Sequence, residues 1–389
     1  MSLEQEIINI RYVIQKSALI GFEDRATNQL ISYYRKAVVG AKNDLKRLIK
    51  QAGDVKDVAR LRLLLNTTDA VIEELGKKLI PPAVEVVGQV GAFTAKDTNA
   101  ILSWDGKNKT FKAVGMSANQ ISAMIQKVPI GEKTLSGRLL SIVTDENNGL
   151  KAEIMAARIR GVGYRKLIDE IGSRYDNLLG KKGSAESNLE TVVRTYMQSM
   201  NNMAHANIYA ANKDVVEEVE WSAILENGNT GTGKGTCPRC AALDGNTYKA
   251  SNSGRALNGP DCPLHSRCRC MYIPKTKTWE ELGFGSDIPE MKTEYTIKYE
   301  RARNYLKNDP NLPQDEMTRE RLKGKTTYKD FWLSKPSYWQ DNAIGPVRAN
   351  LVRSRAVQFD NIVDKETGNL INLKDLSISE EQLTESRRR

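Results

Sequence analysis

The chain has 389 residues, 40% of them apolar and 27% charged, which is enough interior for two or three domains with a real core. A formal charge of +10 favours contact with something polyanionic without naming it, and no run approaches the ~18 apolar residues of a membrane-spanning helix, so no stable membrane anchor is expected. The opening MSLEQEIINIRYVIQKSALIGF mixes acids and bases with its apolar residues and has no signal-peptide core, so the expected place of synthesis is a cytoplasm.

Residues 1–80 read as an N-terminal helical region. In LISYYRKAVVGAKNDLKRLIKQ, Leu30, Tyr33, Tyr34, Ala37, Val38, Ala41, Leu45 and Leu48 fall on a helical repeat, with Lys and Arg on the other side. VKDVARLRLLLNTTDAVIEELGKKL predicts a second helix, broken at Pro81-Pro82. Residues 81–222 read as a helical core domain. It opens with a hairpin around Asp105-Gly106, then a short helix started by Ser117 and stopped before Pro129. Helix resumes from Thr134 to Tyr175, and again from Glu186 through VVEEV at 215–219, where Val192, Tyr196, Met200 and Met203 share a face. A methionine stripe at that spacing reads as core.

The character changes at Trp221. Residues 223–285 are rich in Gly, Asn, Thr, Pro and Cys, and predict short strands and tight turns around a zinc knuckle. Residues 286–389 read as a C-terminal docking segment: a polar helix in EYTIKYERARNYLKND, then KDFWLSKPSYWQDNAIGPVRANLVRSRAVQFD, then a mobile charged tail, SEEQLTESRRR. Trp221, Trp332 and Trp339 are candidate packing anchors. The predicted fold is mainly α: a helical body, a small zinc-knuckle module of strands and loops, and an extended C-terminal segment.

All five cysteines lie between Cys237 and Cys270, and one of the two histidines, His265, falls in the same window. In a reducing compartment such a cluster reads as a metal site before it reads as disulfides. Cys237-x-x-Cys240 and His265-x-x-Cys268 each span the tight turn that lets two ligands converge on one tetrahedral Zn2+, at about 2.3 Å to sulfur and 2.0–2.1 Å to nitrogen. Four protein ligands make a structural site. Cys262 and Cys270 exceed that number; Cys262-x-x-His265 is itself a possible pair, and Cys270 can replace His265 or Cys268.

The motif resembles the head morphogenesis, or minor head protein, family of tailed phages, typified by the F protein of phage Mu. The resemblance rests on Cys237-Pro238-Arg239-Cys240, Leu243-Asp244-Gly245, and His265-Ser266-Arg267-Cys268-Arg269-Cys270 closing with Pro274. Softer counterparts are Arg194-Thr195 and Trp221 upstream. Downstream they are Trp332-Leu333, Ile344-Gly345-Pro346-Val347-Arg348, and Asp364-Lys365-Glu366-Thr367-Gly368 before Leu370, Leu373 and Leu376, so that the likeness spans residues 135–376. Cys262 stands where the family usually has proline, and Ser266 replaces the proline after the histidine. The resemblance implies a virion protein present in few copies inside the head near the portal vertex. It implies the portal protein, the major capsid protein or a scaffold as partners, and in some relatives passage with the DNA on ejection.

Other chemistry was weighed against this. GNTGTGKGT at 228–236 imitates a phosphate-binding loop, but Gly235 occupies the Ser/Thr place, and a flexible loop fits better. His205 is followed by Ala206-Asn207, so the H-x-E of zinc deaminases is missing, and neither histidine begins H-E-x-x-H. With His265 committed to metal and His205 an ordinary helix residue, no catalytic residue is assigned and the expected role is non-enzymatic. ARIRGVGYRKLIDEIG offers a helix-turn-helix, with Gly161-Val162-Gly163 as the turn, or a plain helical hairpin. The alternative function is a zinc-containing DNA-binding protein acting on a packaged or entering genome, supported by the +10 charge, Arg267, Arg269 and Arg387-Arg388-Arg389.

Overall fold

Apolar residues at every third or fourth position build the first two helices. The computed structural model describes residues 2–52, 58–127, 132–177, 184–223, 236–308 and 327–388, and it is 68% helical, mainly α as expected. Helix α1 (Leu3–Ala52) buries Leu30, Tyr34, Val38, Ala41, Leu45 and Ile49, whereas Tyr33 is 48% exposed and stands off that face.

Helix α2 (Val58–Leu102) corrects one expectation, since it runs straight through Pro81-Pro82. Its buried column, Leu75, Leu79, Ala83, Val87 and Val90, continues across the prolines without a phase break. The carbonyls that lose their donors are those of Lys77 and Lys78, on the exposed side where water can reach them. The apolar column therefore outweighs the missing hydrogen bonds.

The described residues form two compact units: one from Met1–Gly21, Ala92–Ser117 and Asn201–Arg389, the other from Phe22–Gly91 and Ala118–Met200. Helices α1, α2 and α6 (Ala185–Ala211) contribute residues to both. The second unit adds α3 (Ala118–Lys127), α4 (Leu135–Ile159) and α5 (Tyr164–Asn177). Its core includes Leu139, Ile154, Leu167, Ile171, Leu189 and Met197, each fully buried. Of the methionine stripe, Tyr196 and Met200 are buried while Val192 and Met203 are half-buried; Met200 packs so closely on Gly91 that a Cβ there would lie 2.9 Å from it. Arg194, buried in this unit, holds Asp24 at 2.7 Å and Glu190 at 2.9 Å, which gives Arg194-Thr195 a structural role.

In the first unit the expected hairpin forms from β1 (Trp104–Asp105) and β2 (Thr110–Phe111). Its turn needs Gly106, because a Cβ would meet Asp287 Oδ2 at 2.5 Å. The Asp287 carboxylate accepts hydrogen bonds from the amides of Asn108 at 2.8 Å and Lys109 at 3.0 Å.

Helix α6 ends at Ala211, and the residues expected to prolong it form strand β3 (Val216–Ser222). It is the centre of an antiparallel sheet with β4 (Thr247–Lys249) and β5 (Met271–Thr276), in register Val219↔Tyr248 and Trp221↔Tyr272. The Tyr209 hydroxyl on α6 bonds to Tyr12 OH at 2.9 Å and Tyr272 O at 3.0 Å, fixing the sheet to the helices of this unit.

The rest of this unit is α7 (Pro238–Leu243), α8 (Ile288–Asn308), α9 (Tyr328–Leu333), α10 (Ser337–Ile344), α11 (Pro346–Arg353) and α12 (Glu380–Arg388). Of the tail expected to be mobile, Glu380–Arg388 form α12. Ser379 and Gln382 form a capping box at its start, and Asn350 Nδ2 donates to Ser386 O at 2.9 Å. Trp221 packs edge-on against Tyr272 and Trp339 edge-on against Phe331, while Trp332 lies tilted against Phe359. Of the phosphate-loop mimic at 228–236, all but Thr236 lies outside the described residues.

Candidate metal centre

The knuckle begins at α7. Cys237 is its N-cap with extended backbone (φ −75°, ψ 158°), Pro238 occupies the first helical position, and the Cys237 sulfur accepts the Cys240 amide at 3.5 Å. Proline is pre-set for that position, so Cys-Pro-x-Cys folds locally into a turn that aims both sulfurs the same way. Cys240, Ala241, Ala242 and Leu243 are buried and anchor the turn. The second arm is tight because Arg267 adopts φ +60° and Cys268 N donates to His265 O at 3.1 Å.

These arms bring His265 Nε2 to 3.2 Å from Cys237 Sγ and 3.3 Å from Cys240 Sγ. His265 Nδ1 lies 2.8 Å from Ser266 O, so Nδ1 carries a proton in either charge state and Nε2 is the nitrogen that faces the two sulfurs. Cys240 and Cys268 are 3.8 Å apart. A tetrahedral zinc needs edges of ~3.8 Å between sulfurs and ~3.6 Å between sulfur and nitrogen, given its bond lengths. The donor set fits the ion.

Two triads emerge, Cys237–Cys240–His265 and Cys240–Cys268–Cys270, each with ligand atoms within 4.8 Å of one another. Cys240 belongs to both. Cys268 is thus adjacent to the first triad through Cys240, and Cys270 stands beside it. Cys262 belongs to neither; its thiol donates to Cys270 O at 3.1 Å, a bond that a metal-bound thiolate cannot donate.

The electrostatics match this division. Hydrogen bonding to Cys240, then to His265, holds the Cys237 thiol down to about 4 against its burial. The Cys237 hydrogen bond pushes His265 up to about 9 against its own burial. Hydrogen bonds from Cys240, Cys262 and Cys270 also lower Cys268 well below an ordinary thiol. Cys240 is raised by the bonds that stabilise its neighbours, and burial raises Cys262 and Cys270. Without metal the cluster is therefore a thiolate–imidazolium arrangement, in which a metal would take the place of the His265 proton.

The C-terminal segment grips this module. Asp244 accepts the Ala223 amide at 2.6 Å with one oxygen and the Tyr328 amide, the first of α9, at 2.7 Å with the other. Arg239 Nε donates to Gly368 O at 2.6 Å, and Tyr248 OH to Lys365 O at 2.9 Å. Asp364 Oδ1 accepts the Glu366 and Thr367 amides and shapes the turn that presents Gly368. Asp244 and Arg239 enter the sequence reading as part of the family motif; a carboxylate and a guanidinium bracketing a buried one-turn helix are the signal for their role here. His205, by contrast, is a buried α6 residue bonded to Gln15 at 3.0 Å, and burial lowers it to about 3.

Residues 148–273 match the family described as Phage Mu protein F like protein. This stretch of the chain is similar to a phage Mu F-like domain. It runs from within α4 to Ile273 in β5, so it contains both triads. Mu F-like likeness was expected over 135–376, and the downstream counterparts from Trp332 to Leu376 lie beyond the matched stretch. No curated protein and no solved structure matches the chain. The similarity of this stretch to the Mu F-like family suggests a phage head morphogenesis protein. Among the described residues no helix is long and apolar enough to cross a membrane.

Proposed function

We propose that this chain is a structural, non-enzymatic minor head protein of a tailed bacteriophage, held inside the head near the portal vertex. A single zinc ion in the knuckle would supply the cross-link that ties two short arms into one module. Cys237, Cys240 and His265 would hold it, with Cys268 as the fourth ligand and Cys270 as its alternate. The observation that carries this reading is the position of the Cys237–Cys240–His265 triad inside the Mu F-like stretch, with the C-terminal segment anchored on the same knuckle helix.

The chain's own residues do the rest. Ser266 O sets the His265 tautomer, the Cys240 amide orients Cys237, and Asp244 and Arg239 carry the rigidity of the knuckle to α9 and to the 364–368 turn. Portal protein, major capsid protein and scaffold are the partners this role calls for, and cross-linking in assembled heads identifies which is touched.

The test is head incorporation of a Cys237→Ala, Cys240→Ala double variant, with metal measured by mass spectrometry on protein purified without added zinc. The reading expects one zinc per wild-type chain, none in the variant, and heads lacking the variant. Normal incorporation of the variant refutes it.

A further inference from the structure

The α4–α5 hairpin ends in Arg158–Lys166, nine residues with four cations and no acid. The turn is rigid. Arg160 N donates to Ala156 O at 3.0 Å, Gly161 N to Arg158 O at 3.0 Å, and Val162 N to Ala157 O at 2.9 Å. Gly161 takes φ +68°, and Val162 is buried beneath the turn. Arg160 spends its charge within the hairpin, on Glu170 at 2.7 Å and Glu153 at 3.3 Å, clamping the two helices.

The other three cations are different. Among the described residues Arg158 and Lys166 meet no carboxylate. Arg165 touches only its neighbour, with Nε donating to Tyr164 OH at 3.4 Å and the guanidinium over that ring, which leaves its charge uncompensated. Between them Ile159 is 84% exposed, and Met155, one turn earlier on the same face, is 40% exposed. Space around Gly161 and Gly163 is open.

We propose that this hairpin tip is a contact for duplex nucleic acid, made through the phosphate backbone, with Ile159 against the sugar edges. Charge complementarity selects the partner: three uncompensated cations on a rigid tip suit closely spaced phosphates. A lipid surface needs more apolar area than Ile159 and Met155 provide. The contact is end-on, not a recognition helix. Beyond its first turn α5 exposes Asp169 and Asp176, which groove phosphates would repel. This inference goes beyond the structural role proposed above and is independent of the metal.

The experiment is fluorescence anisotropy of the full chain with a random-sequence duplex across a salt series. Each phosphate contact contributes about 0.9 to the slope of log affinity against log salt, so Arg158→Gln, Arg165→Gln, Lys166→Gln together should flatten it by about 2.7. Affinity at low salt should fall on the order of 10- to 100-fold. Ile159→Ser should weaken binding with the slope unchanged. A control triple, Lys213→Gln, Lys249→Gln, Lys292→Gln, removes equal charge from exposed positions elsewhere. Equal effects of the two triples overturn the proposal, as does binding of the wild type to phosphatidylglycerol vesicles but not to duplex. Arg165 and Lys166 are exposed and Arg158 half-buried, so circular dichroism should show the wild-type fold, and head incorporation reports separately on the structural role.

Discussion

Replacing Asp244 by alanine removes two acceptors at once. One oxygen holds the Ala223 amide at 2.6 Å and the other the Tyr328 amide at 2.7 Å, so one carboxylate joins the end of β3, the knuckle helix and the start of α9. Hydrogen bonds to a charged acceptor contribute about 1.5–3 kcal/mol each when buried. Asp244 is only half-buried, and water can take part of the load, so the pair should contribute about 3 kcal/mol. That corresponds to roughly a 100-fold rise in local opening, since each 1.4 kcal/mol is about tenfold. Hydrogen exchange read by mass spectrometry checks it: protection over 327–353 should fall by that factor, while α4 and α5 keep theirs. Asp244→Asn, which keeps one carbonyl oxygen, should lose about half as much free energy. Unchanged protection at Tyr328 in the alanine variant, or an equal loss throughout the chain, refutes the coupling.

Zinc affinity should strengthen steeply with pH. Cys237, held down to about 4, is already a thiolate between about pH 5 and 8, whereas His265, raised to about 9, still carries a proton that metal must displace. Cys240 is raised and gives up a second proton; Cys268 is lowered and gives up none. Two protons released mean about 100-fold per pH unit, against about 1000-fold if Cys270 is the fourth ligand; chelator competition reads the slope, and a flat profile refutes both. Cys262→Ser should keep one zinc per chain, because the hydroxyl can still donate to Cys270 O, whereas Cys240→Ser should abolish binding because both triads use it. Metal content of the two purified variants decides this. Gly254→Ala should destabilise the first unit by about 2 kcal/mol or more, read as a lowered Tm, because at φ +71° its Cβ would lie 1.9 Å from Ala206 O.

Where local pattern and packing agree, the fold is legible from sequence: Leu30, Tyr34, Val38, Ala41 and Leu45 of the α1 column are buried as read, with Tyr33 exposed, and the Gly106 hairpin and the Gly161 turn both form. The misses have separable causes. Pro81-Pro82 looked like a break because a proline's local cost is visible in sequence, while the buried column that overrides it is a tertiary quantity. Strand β3 looked helical because a register shift between Val216 and Glu218 puts the buried Val216 and Val219 three residues apart, a helical spacing, where an unbroken strand would show a period of two. The last helix was readable after all. Ser379-x-x-Gln382 is a capping-box sequence, and its charge content drew attention away from it.

At the metal centre the spacing C-x-x-C and H-x-x-C located the residues but could not rank six candidates for four places. Ranking them takes proton positions. Ser266 O claims the His265 Nδ1 proton, so Nε2 is the nitrogen left facing Cys237 and Cys240; Cys270 O claims the Cys262 proton, so that thiol faces away. Both claims are made by backbone carbonyls, whose directions follow from the fold of 262–270 and leave no mark in residue identity. Cys268 and Cys270 remain closest to parity, both buried and both in the triad completed by Cys240. What separates them is charge, since Cys268 is stabilised as a thiolate and Cys270 is not. A cation entering the first triad meets a ready ligand in Cys268 and would have to deprotonate Cys270.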